Sequence, residues 1–323
     1  MGRAIYVSSV NGDDANSGYA PEKAFRSLRK VNQMEIQPGD QILLERGSVF
    51  VGEYLHLYRG GTKEAPVVVD AYGEGALPRI ETDGNGIWYQ NYGGHLDNVV
   101  HIWKGYLSSA VLLYDAEYIS IRNLEITNNP CVQNERLNQA DRMNRTGVSV
   151  IAKNHGTLHE IELDHLYIHD VEGNIYDKHL NNGGIYMSVS RPDDEEKTGI
   201  ARYDGIHIHH CKVENCRRWG IAAGYTYQHD KFTTLELPDE VVKAYGSTNV
   251  VIEHNFVKDI GGDGITPMYC FEPLIQYNVS ENIAVDIHPD LYNEEGNRGG
   301  MTAAAIWLLC ESRCGRVFGT ERS

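Results

Sequence analysis

The sequence is poor in cysteine and has no long apolar run. Six cysteines among 323 residues are too few for a scaffold built on disulfides, so we expect free or buried thiols in a reducing compartment. No stretch approaches the ~18 consecutive apolar residues that a membrane-spanning helix needs. The first residues contain no apolar segment of the kind found in secretory signals. These absences predict a cytoplasmic protein.

Basic residues are also scarce relative to acidic ones. The chain has 29 Lys and Arg against 45 Asp and Glu, which gives a net charge of −16 at neutral pH. Such a surface repels nucleic-acid phosphates and anionic lipid headgroups. We therefore expect neither nucleic acid nor a membrane among the partners.

What the chain does contain is repetition. A short apolar strand recurs, and its copies begin at Gly147, Gly184, Gly220, Gly264 and Ala305, which are 37, 36, 44 and 41 residues apart. Between these copies lies a second strand that alternates apolar and polar residues, with an Asn, His or Asp near its middle. Its copies span residues 119–126, 161–168, 206–213, 250–257 and, in a shorter form, 274–279.

This repetition predicts an all-β, right-handed parallel β-helix. In a solenoid each turn of chain buries its inward side chains against the turns above and below, and stacked strands lie ~4.8 Å apart. Propeller blades repeat at a similar interval, but they need hairpin signals that these repeats lack. We expect an N-terminal strand and capping helix over residues 1–40, the β-helix over 41–307 and an irregular tail over 308–323.

The two ends of the solenoid differ. Phe25, Leu28, Val31 and Met34 fall on one face of an amphipathic segment, which predicts a helix that covers the first turn. After residue 307 the alternation stops and no similar segment follows. We therefore expect the C-terminal edge to be shielded by homo-oligomer formation or by the tail.

The N-terminal string YVSSVNGDDANSGYAPEKAFRSLRKVN, followed by PGDQILLERGSVFVGEYLHL, resembles the cap and first turn of pectin-lyase-like β-helix proteins. The segments RWGIAAGY, GGDGITPMYC and AAAIW are similar to successive turns of β-helical glycoside hydrolases such as certain β-xylosidases. The resemblance covers about residues 4–307 and implies a carbohydrate-active protein. It carries over no catalytic residue, because in those hydrolases the carboxylates lie on turns beyond the ones matched in this chain.

The candidate site residues stand at matching positions on successive repeats. Such positions bring distant residues onto one strip about 10–15 Å long, enough for two or three sugar rings. The strip contains Lys178, His179, Asn182, Arg218, Trp219 and Asp263.

Asp263 is the carboxylate that we expect to act as acid, base or nucleophile. Glycines flank it and let the backbone approach a ligand closely, although Asp and Gly also favour a simple tight corner. Glycoside hydrolysis needs two carboxyl groups, and the second would come from a loop that carries Asp230, Glu272 or Asp286. This chemistry predicts a glycoside hydrolase that acts on a plant-derived oligosaccharide.

Two other functions stay open. In a polysaccharide lyase, Lys178 would be the base, His179 its partner and Arg218 the group that neutralises a uronate, with Ca²⁺ as a possible aid. A solvated loop explains Lys178 and His179 equally well. The third function is a truncated, catalytically silent solenoid that binds a sugar.

Aromatic and histidine residues complete the set. Trp219, Tyr186 and Tyr225 are candidates for stacking on sugar faces, with core packing as the alternative. His207 and His209 alternate on one strand face, but no third ligand is evident in the sequence. We therefore expect a polar ladder there, and neither a metal site nor a required cofactor.

Overall fold

The strands of this computed structural model form three parallel sheets, as in a right-handed parallel β-helix. The structure describes residues 2–94, 102–131, 143–174, 179–232, 237–285 and 317–318. Successive turns of chain pass through the sheets in the same order, so each strand pairs with its counterparts on the turns before and after it. The predicted fold class is confirmed.

We name the three sheets A, B and C. Sheet A contains β1 (Ala4–Val7), β2 (Gln41–Glu45), β5 (Val67–Tyr72), β9 (Ile119–Arg122), β12 (Thr157–Asp164), β15 (Arg202–His209), β18 (Thr248–Glu253), β21 (Leu274–Gln276) and β23 (Val317–Phe318). Sheet B contains β3 (Val49–Val51), β6 (Arg79–Glu81), β10 (Glu125–Asn128), β13 (Tyr167–Val171), β16 (Lys212–Cys216), β19 (Phe256–Ile260) and β22 (Val279–Ile283). Sheet C contains β4 (Leu55–Leu57), β8 (Lys104–Tyr114), β11 (Arg145–Ala152), β14 (Gly183–Val189), β17 (Trp219–Thr226) and β20 (Asp263–Pro267), with β7 (Ile87–Asn91) beside β8.

The second recurring strand of the sequence is two strands joined by a sharp bend. The bend falls on Asn123, His165, His210 and His254, whose φ angles are 56°, 48°, 52° and 54°. Asn and His adopt this left-handed conformation more readily than most residues. The chain therefore turns from sheet A into sheet B at each polar residue, and each full turn has three strands where the sequence indicated two.

The core is a set of ladders that run along the helix axis. In sheet C, Val148 pairs with Ile185, Ile185 with Ile221, and Ile221 with Ile265, and all four side chains are fully buried. Burial of an aliphatic side chain of this size contributes about 1.5–3 kcal/mol. The repeated Gly-Ile and Gly-Val pairs of the sequence are thus the inward side of sheet C.

One antiparallel pair departs from the parallel pattern. β7 and the start of β8 form it, with Ile87 opposite Ser108 and Asn91 opposite Lys104. A second hydrophobic cluster packs on the side of sheet C that faces away from the core, and its buried members are Trp88, Leu107, Leu112, Ile151 and Leu180. This pair covers part of the outer face of sheet C.

Helices are few and short, and three α-helices are described: α1 (Leu28–Asn32), α2 (Glu195–Thr198) and α3 (Asp239–Tyr245). In α1, Leu28 and Val31 are fully buried, as the amphipathic spacing predicts. The carboxylate of Glu53 accepts a hydrogen bond of 2.6 Å from the Leu28 backbone N–H, which caps the helix. None of the described helices has the length and apolarity needed to cross a membrane.

The C-terminal edge of sheet A is paired within the chain. β23 lies parallel to β21, with Ile275 opposite Val317 and Gln276 opposite Phe318. Residues 317–318 therefore form a strand within the segment expected to be irregular. The remainder of 308–323 and the repeat that begins at Ala305 lie outside the described residues, and homo-oligomer formation stays a prediction.

The described cysteines are free thiols, as expected. Cys211, Cys216 and Cys270 are buried, and Cys131 is exposed. Burial raises the pKa of Cys211 to about 12, so this thiol stays protonated at neutral pH. Cys310 and Cys314 lie outside the described residues.

Asp40 links two segments of the N-terminal end through hydrogen bonds to Arg3 and Gln37. Its replacement tests how much these bonds stabilise the folded chain. Its buried carboxylate accepts hydrogen bonds from the backbone N–H groups of Arg3 (2.8 Å) and Gln37 (2.9 Å) and pairs with the Arg3 guanidinium. Burial raises the pKa of Asp40, but these hydrogen bonds outweigh burial and leave the pKa below its ordinary value. We expect Asp40→Asn to lower the free energy of unfolding by about 1–3 kcal/mol.

The pH dependence follows from the direction of that shift. Because the pKa of Asp40 is lower in the folded state, its ionised carboxylate stabilises the folded chain above about pH 4. This stabilisation is lost as the pH falls toward the folded-state pKa. Denaturant unfolding of the wild type and Asp40→Asn should therefore differ at pH 7 and converge at low pH. Glu35→Gln breaks the exposed pair with Arg59 and should change stability by less than about 1 kcal/mol. An equal effect of both variants at pH 7 would contradict the role of Asp40.

Candidate functional site

The candidate site lies where β17 and β20 stack in sheet C. Trp219 and Asp263 are direct partners in the parallel register, so residues 44 positions apart become neighbours on successive turns. Arg218 precedes β17 in a left-handed conformation with a φ of 57°. Gly262 permits the close approach of the two turns, because a Cβ atom there would lie 2.2 Å from the Arg218 carbonyl oxygen.

Arg218 and Asp263 form a buried pair of opposite charges. The Arg218 Nη1 atom lies 3.9 Å from the Asp263 Oδ2 atom, and each side chain is only 3% exposed. The guanidinium also lies over the Trp219 ring, with Cζ 4.0 Å from the ring centroid. Such a cation–π contact is stronger when it is desolvated. Removing two charges from water in this way costs free energy unless their mutual attraction and further hydrogen bonds compensate for it.

Three aromatic rings pack beside this pair. The ring centroids of Tyr186 and Trp219 are 6.3 Å apart, those of Tyr186 and Tyr225 are 5.4 Å apart, and those of Trp219 and Tyr225 are 5.8 Å apart. All three side chains are at most 1% exposed. The expectation that these rings present open faces to a sugar is therefore wrong for the described residues, because the rings pack on one another and on Arg218.

Polar atoms in this cluster lack hydrogen-bond partners among the described residues. They are Nε and Nη1 of Arg218, Nε1 of Trp219 and Oγ1 of Thr266. Thr266 lies three residues after Asp263 on β20 and is fully buried. Buried donors are nearly always hydrogen-bonded in folded proteins. Arg218 holds such donors beside the Asp263 carboxylate, an arrangement suited to a polar ligand whose hydroxyl oxygens would accept these hydrogen bonds.

His179 and Asn182 lie in the connection that leads into β14, and both are fully buried. The Asn182 side-chain amide donates to the Asn174 carbonyl, and its oxygen accepts from the Arg145 backbone N–H at 3.4 Å. The His179 ring centroid is 5.8 Å from that of Tyr92. Lys178 lies outside the described residues, so its pairing with His179 as a lyase base stays a prediction.

A buried polar network that the sequence analysis missed holds the same connection against sheet C. The Asn181 side chain donates to Ser149 Oγ at 3.3 Å and accepts from Ser188 Oγ at 2.7 Å and from Gln90 Nε2 at 3.1 Å. Gln90 belongs to the antiparallel pair. The sequence offered two signals, the adjacent asparagines 181 and 182 and the alternation of apolar and polar residues in β7. Neither signal indicates the contact between Asn181 and Gln90 unless the fold is known.

Two of the three loop carboxylates proposed as the partner of Asp263, those of Asp230 and Glu272, are exposed, whereas Asp263 is buried. The Asp230 side chain is 65% exposed and lies 3.6 Å from Lys231 Nζ. Glu272 is exposed, and Asp286 lies outside the described residues. The part of the cluster that the structure describes therefore contains one carboxylate, Asp263, together with its arginine.

No family model matches the chain, but individual proteins do. A crystal structure of a GH136 lacto-N-biosidase from Eubacterium ramulus, a selenomethionine derivative, superposes with a TM-score of 0.90 at 51% identity and covers 98% of this chain. The native protein gives a TM-score of 0.89 at 50% identity. The chain is similar to lacto-N-biosidases. A curated lacto-N-biosidase from Bifidobacterium longum subsp. longum is 39% identical over 342 residues, which is 95% of this chain.

These relatives are longer than the chain. The chain spans 50% and 49% of the two solved Eubacterium chains and 21% of the curated Bifidobacterium protein. The matched proteins are also lacto-N-biosidases, where the sequence resemblance pointed to β-xylosidases. The β-helix expected from the sequence is confirmed, and the relatives named here differ from the β-xylosidases that the sequence resemblance indicated.

Proposed function

We propose that this chain is the β-helix of a glycoside hydrolase that acts on an oligosaccharide containing lacto-N-biose. The observation that carries the proposal is the 51% identity to a lacto-N-biosidase over 98% of the chain. The proposal replaces the plant-derived oligosaccharide that we expected from the sequence, because the proteins matched are named for lacto-N-biose.

The Asp263 cluster supports hydrolysis by its charge and its donors. Hydrolysis of a glycosidic bond uses one carboxyl group as acid and a second as nucleophile or base. In this proposal Asp263, which lies beside the Arg218 guanidinium, takes the second role. Arg218, Trp219 Nε1 and Thr266 Oγ1 would donate hydrogen bonds to the sugar hydroxyl oxygens. In this proposal the carboxyl group that acts as acid comes from outside the described cluster.

A sugar-binding module without catalysis is the second candidate. The single carboxylate in the described cluster and the partial coverage of the relatives favour it. The test is incubation of the chain with an aryl lacto-N-bioside. Release of the aryl alcohol together with the intact disaccharide is the result that we expect. Saturable binding of lacto-N-biose by calorimetry without release would overturn hydrolysis in favour of the binding module.

Arg218 gives a prediction about substrate recognition. We expect Arg218→Gln to lower kcat/KM for the aryl glycoside by about 10–100-fold, because a hydrogen bond from a charged donor contributes about 1.5–3 kcal/mol. The neighbouring Arg217 is the matched control, since its Nε atom donates to Glu172 at 2.9 Å just beyond the ends of β13 and β16. Steady-state kinetics should show Arg217→Gln close to wild type. Similar losses in both variants would remove Arg218 from the site.

A further inference from the structure

The outer face of sheet A contains a second cluster of ligand-type side chains, on a different sheet from the Asp263 cluster in sheet C. β12 and β15 are adjacent in register, with Glu162 opposite His207 and Asp164 opposite His209. Alternate residues of these strands point away from the core, so the four side chains share one patch. The sequence analysis found no third ligand for His207 and His209, but the fold supplies Glu162 from the preceding turn.

The donor atoms of three of these residues converge. One ligand atom each from Glu162, His207 and His209 lies within 4.8 Å of the other two. The rings of His207 and His209 are 3.9 Å apart between centroids. Ligands bound to Zn²⁺ at ~2.0–2.1 Å in a tetrahedron lie about 3.3 Å from one another. Small rotations of the half-buried side chains would therefore bring the three atoms to zinc-binding distance.

His209 lies between two carboxylates of the preceding turn. Its Nδ1 atom lies 3.0 Å from Asp164 Oδ1, and its Nε2 atom lies 3.3 Å from Glu162 Oε1. The Nε2 atom therefore faces the carboxylate that would share the ion, while Nδ1 faces a carboxylate that can accept a hydrogen bond.

The surrounding contacts match those that orient metal ligands elsewhere. A ligating histidine usually donates its other N–H to a carboxylate, which fixes the ring, and Asp164 is placed to accept from His209. The second oxygen of Glu162 accepts a hydrogen bond of 2.6 Å from Ser120 Oγ. Both ligands are thus held by neighbours that would not themselves bind the ion.

We propose that Glu162, His207 and His209 form a zinc site that links two successive turns of the β-helix. Two imidazoles and one carboxylate are a ligand set that suits Zn²⁺, and the fourth position would be held by water. Because the site joins β12 to β15 only in the folded chain, zinc would stabilise that state by mass action. The proposal is independent of the sugar chemistry in sheet C.

The test is calorimetric titration of the purified, chelator-treated chain with Zn²⁺. We expect one saturable site per chain and a rise in melting temperature with zinc. His207→Gln and His209→Gln should lose both the site and the rise, while their melting temperatures without zinc stay near that of wild type. Asp164→Asn should weaken binding by about 10–100-fold.

The matched control is His169→Gln. His169 is also bracketed by two carboxylates, with Nε2 3.1 Å from Glu125 Oε1 and Nδ1 2.7 Å from Asp170 Oδ2, but it belongs to none of the three-residue groups of possible metal ligands found among the described residues. This variant should bind zinc as wild type does. Absence of saturable zinc binding in the wild type would overturn the proposal. So would zinc binding that survives in both His207→Gln and His209→Gln.

Discussion

Replacing Asp263 by asparagine is expected to lower kcat/KM for an aryl lacto-N-bioside by about 10²–10⁴-fold. Loss of a positioned acid, base or nucleophile has effects of this size, and asparagine keeps the shape of the side chain while removing its charge. Steady-state release of the aryl alcohol is the measurement. Among the residues that the structure describes, Asp263 is the carboxylate paired with Arg218 in the cluster. We therefore expect its replacement to slow the chemical step.

The control for Asp263 is Asp259→Asn in the same turn. Asp259 lies on β19 in sheet B, where its carboxylate accepts a hydrogen bond of 2.5 Å from Asn282, and its replacement should leave kcat/KM within about twofold of wild type. Asp263→Asn leaves Arg218 buried opposite a neutral side chain, so thermal unfolding must be measured alongside activity. Full activity in a folded Asp263→Asn variant would remove this residue from the mechanism.

The second large effect is expected at Gly184. A column of glycines, Gly147, Gly184 and Gly220, begins successive strands of sheet C, where the chain arrives from sheet B. A Cβ atom on Gly184 would lie 2.5 Å from Val213 Cγ1 and 2.7 Å from the Gly220 carbonyl oxygen. We expect Gly184→Ala to lower the free energy of unfolding by about 1–3 kcal/mol, the usual cost of overpacking a rigid interior.

Gly105→Ala is the matched control for that variant. A Cβ atom there would meet its nearest neighbour, Leu180 Cδ1, at 3.6 Å, which is an ordinary contact. Denaturant unfolding should show a change of less than about 0.5 kcal/mol for this substitution. Equal stability of the two variants would show that the turns are not packed as closely at the glycine column as the structure indicates.

The glycine column also explains why the repeat could be found in the sequence. There is no room for a Cβ atom at Gly147, Gly184 or Gly220. The same short pattern therefore returns each time the chain enters sheet C. That recurrence fixed the number of residues per turn and therefore the pairing of Trp219 with Asp263. The proximity of Arg218, Trp219 and Asp263 could be predicted for that reason.

Other features could not be predicted because local sequence does not distinguish them. The polar residue near the middle of each long strand was visible, but only the left-handed φ of His165, His210 and His254 shows it to be a corner. Alternation continues across the bend, so the sequence indicated one strand where the structure has two. The antiparallel pair of β7 and β8 lies outside the repeat and left no periodic signal.

Burial was the main error at the candidate site. Tyr186, Trp219 and Tyr225 were candidates for stacking on a sugar, with core packing as the alternative, and their packing on one another leaves them at most 1% exposed. Thr266 was missed because a threonine within a buried strand is common, and only its lack of a partner among the described residues marks it. Glu162 was missed for a different reason. It lies 45 residues before His207 in the sequence, and only the parallel pairing of β12 with β15 makes the two residues neighbours.

A crystal structure of the Asp263→Asn variant with lacto-N-biose tests most directly whether stacked turns of sheet C assemble a sugar site. The account predicts the disaccharide beside residue 263, with a sugar oxygen accepting hydrogen bonds from the Arg218 guanidinium or from Trp219 Nε1. Disaccharide bound elsewhere on the molecule, with Arg218 and Trp219 unchanged, would contradict it.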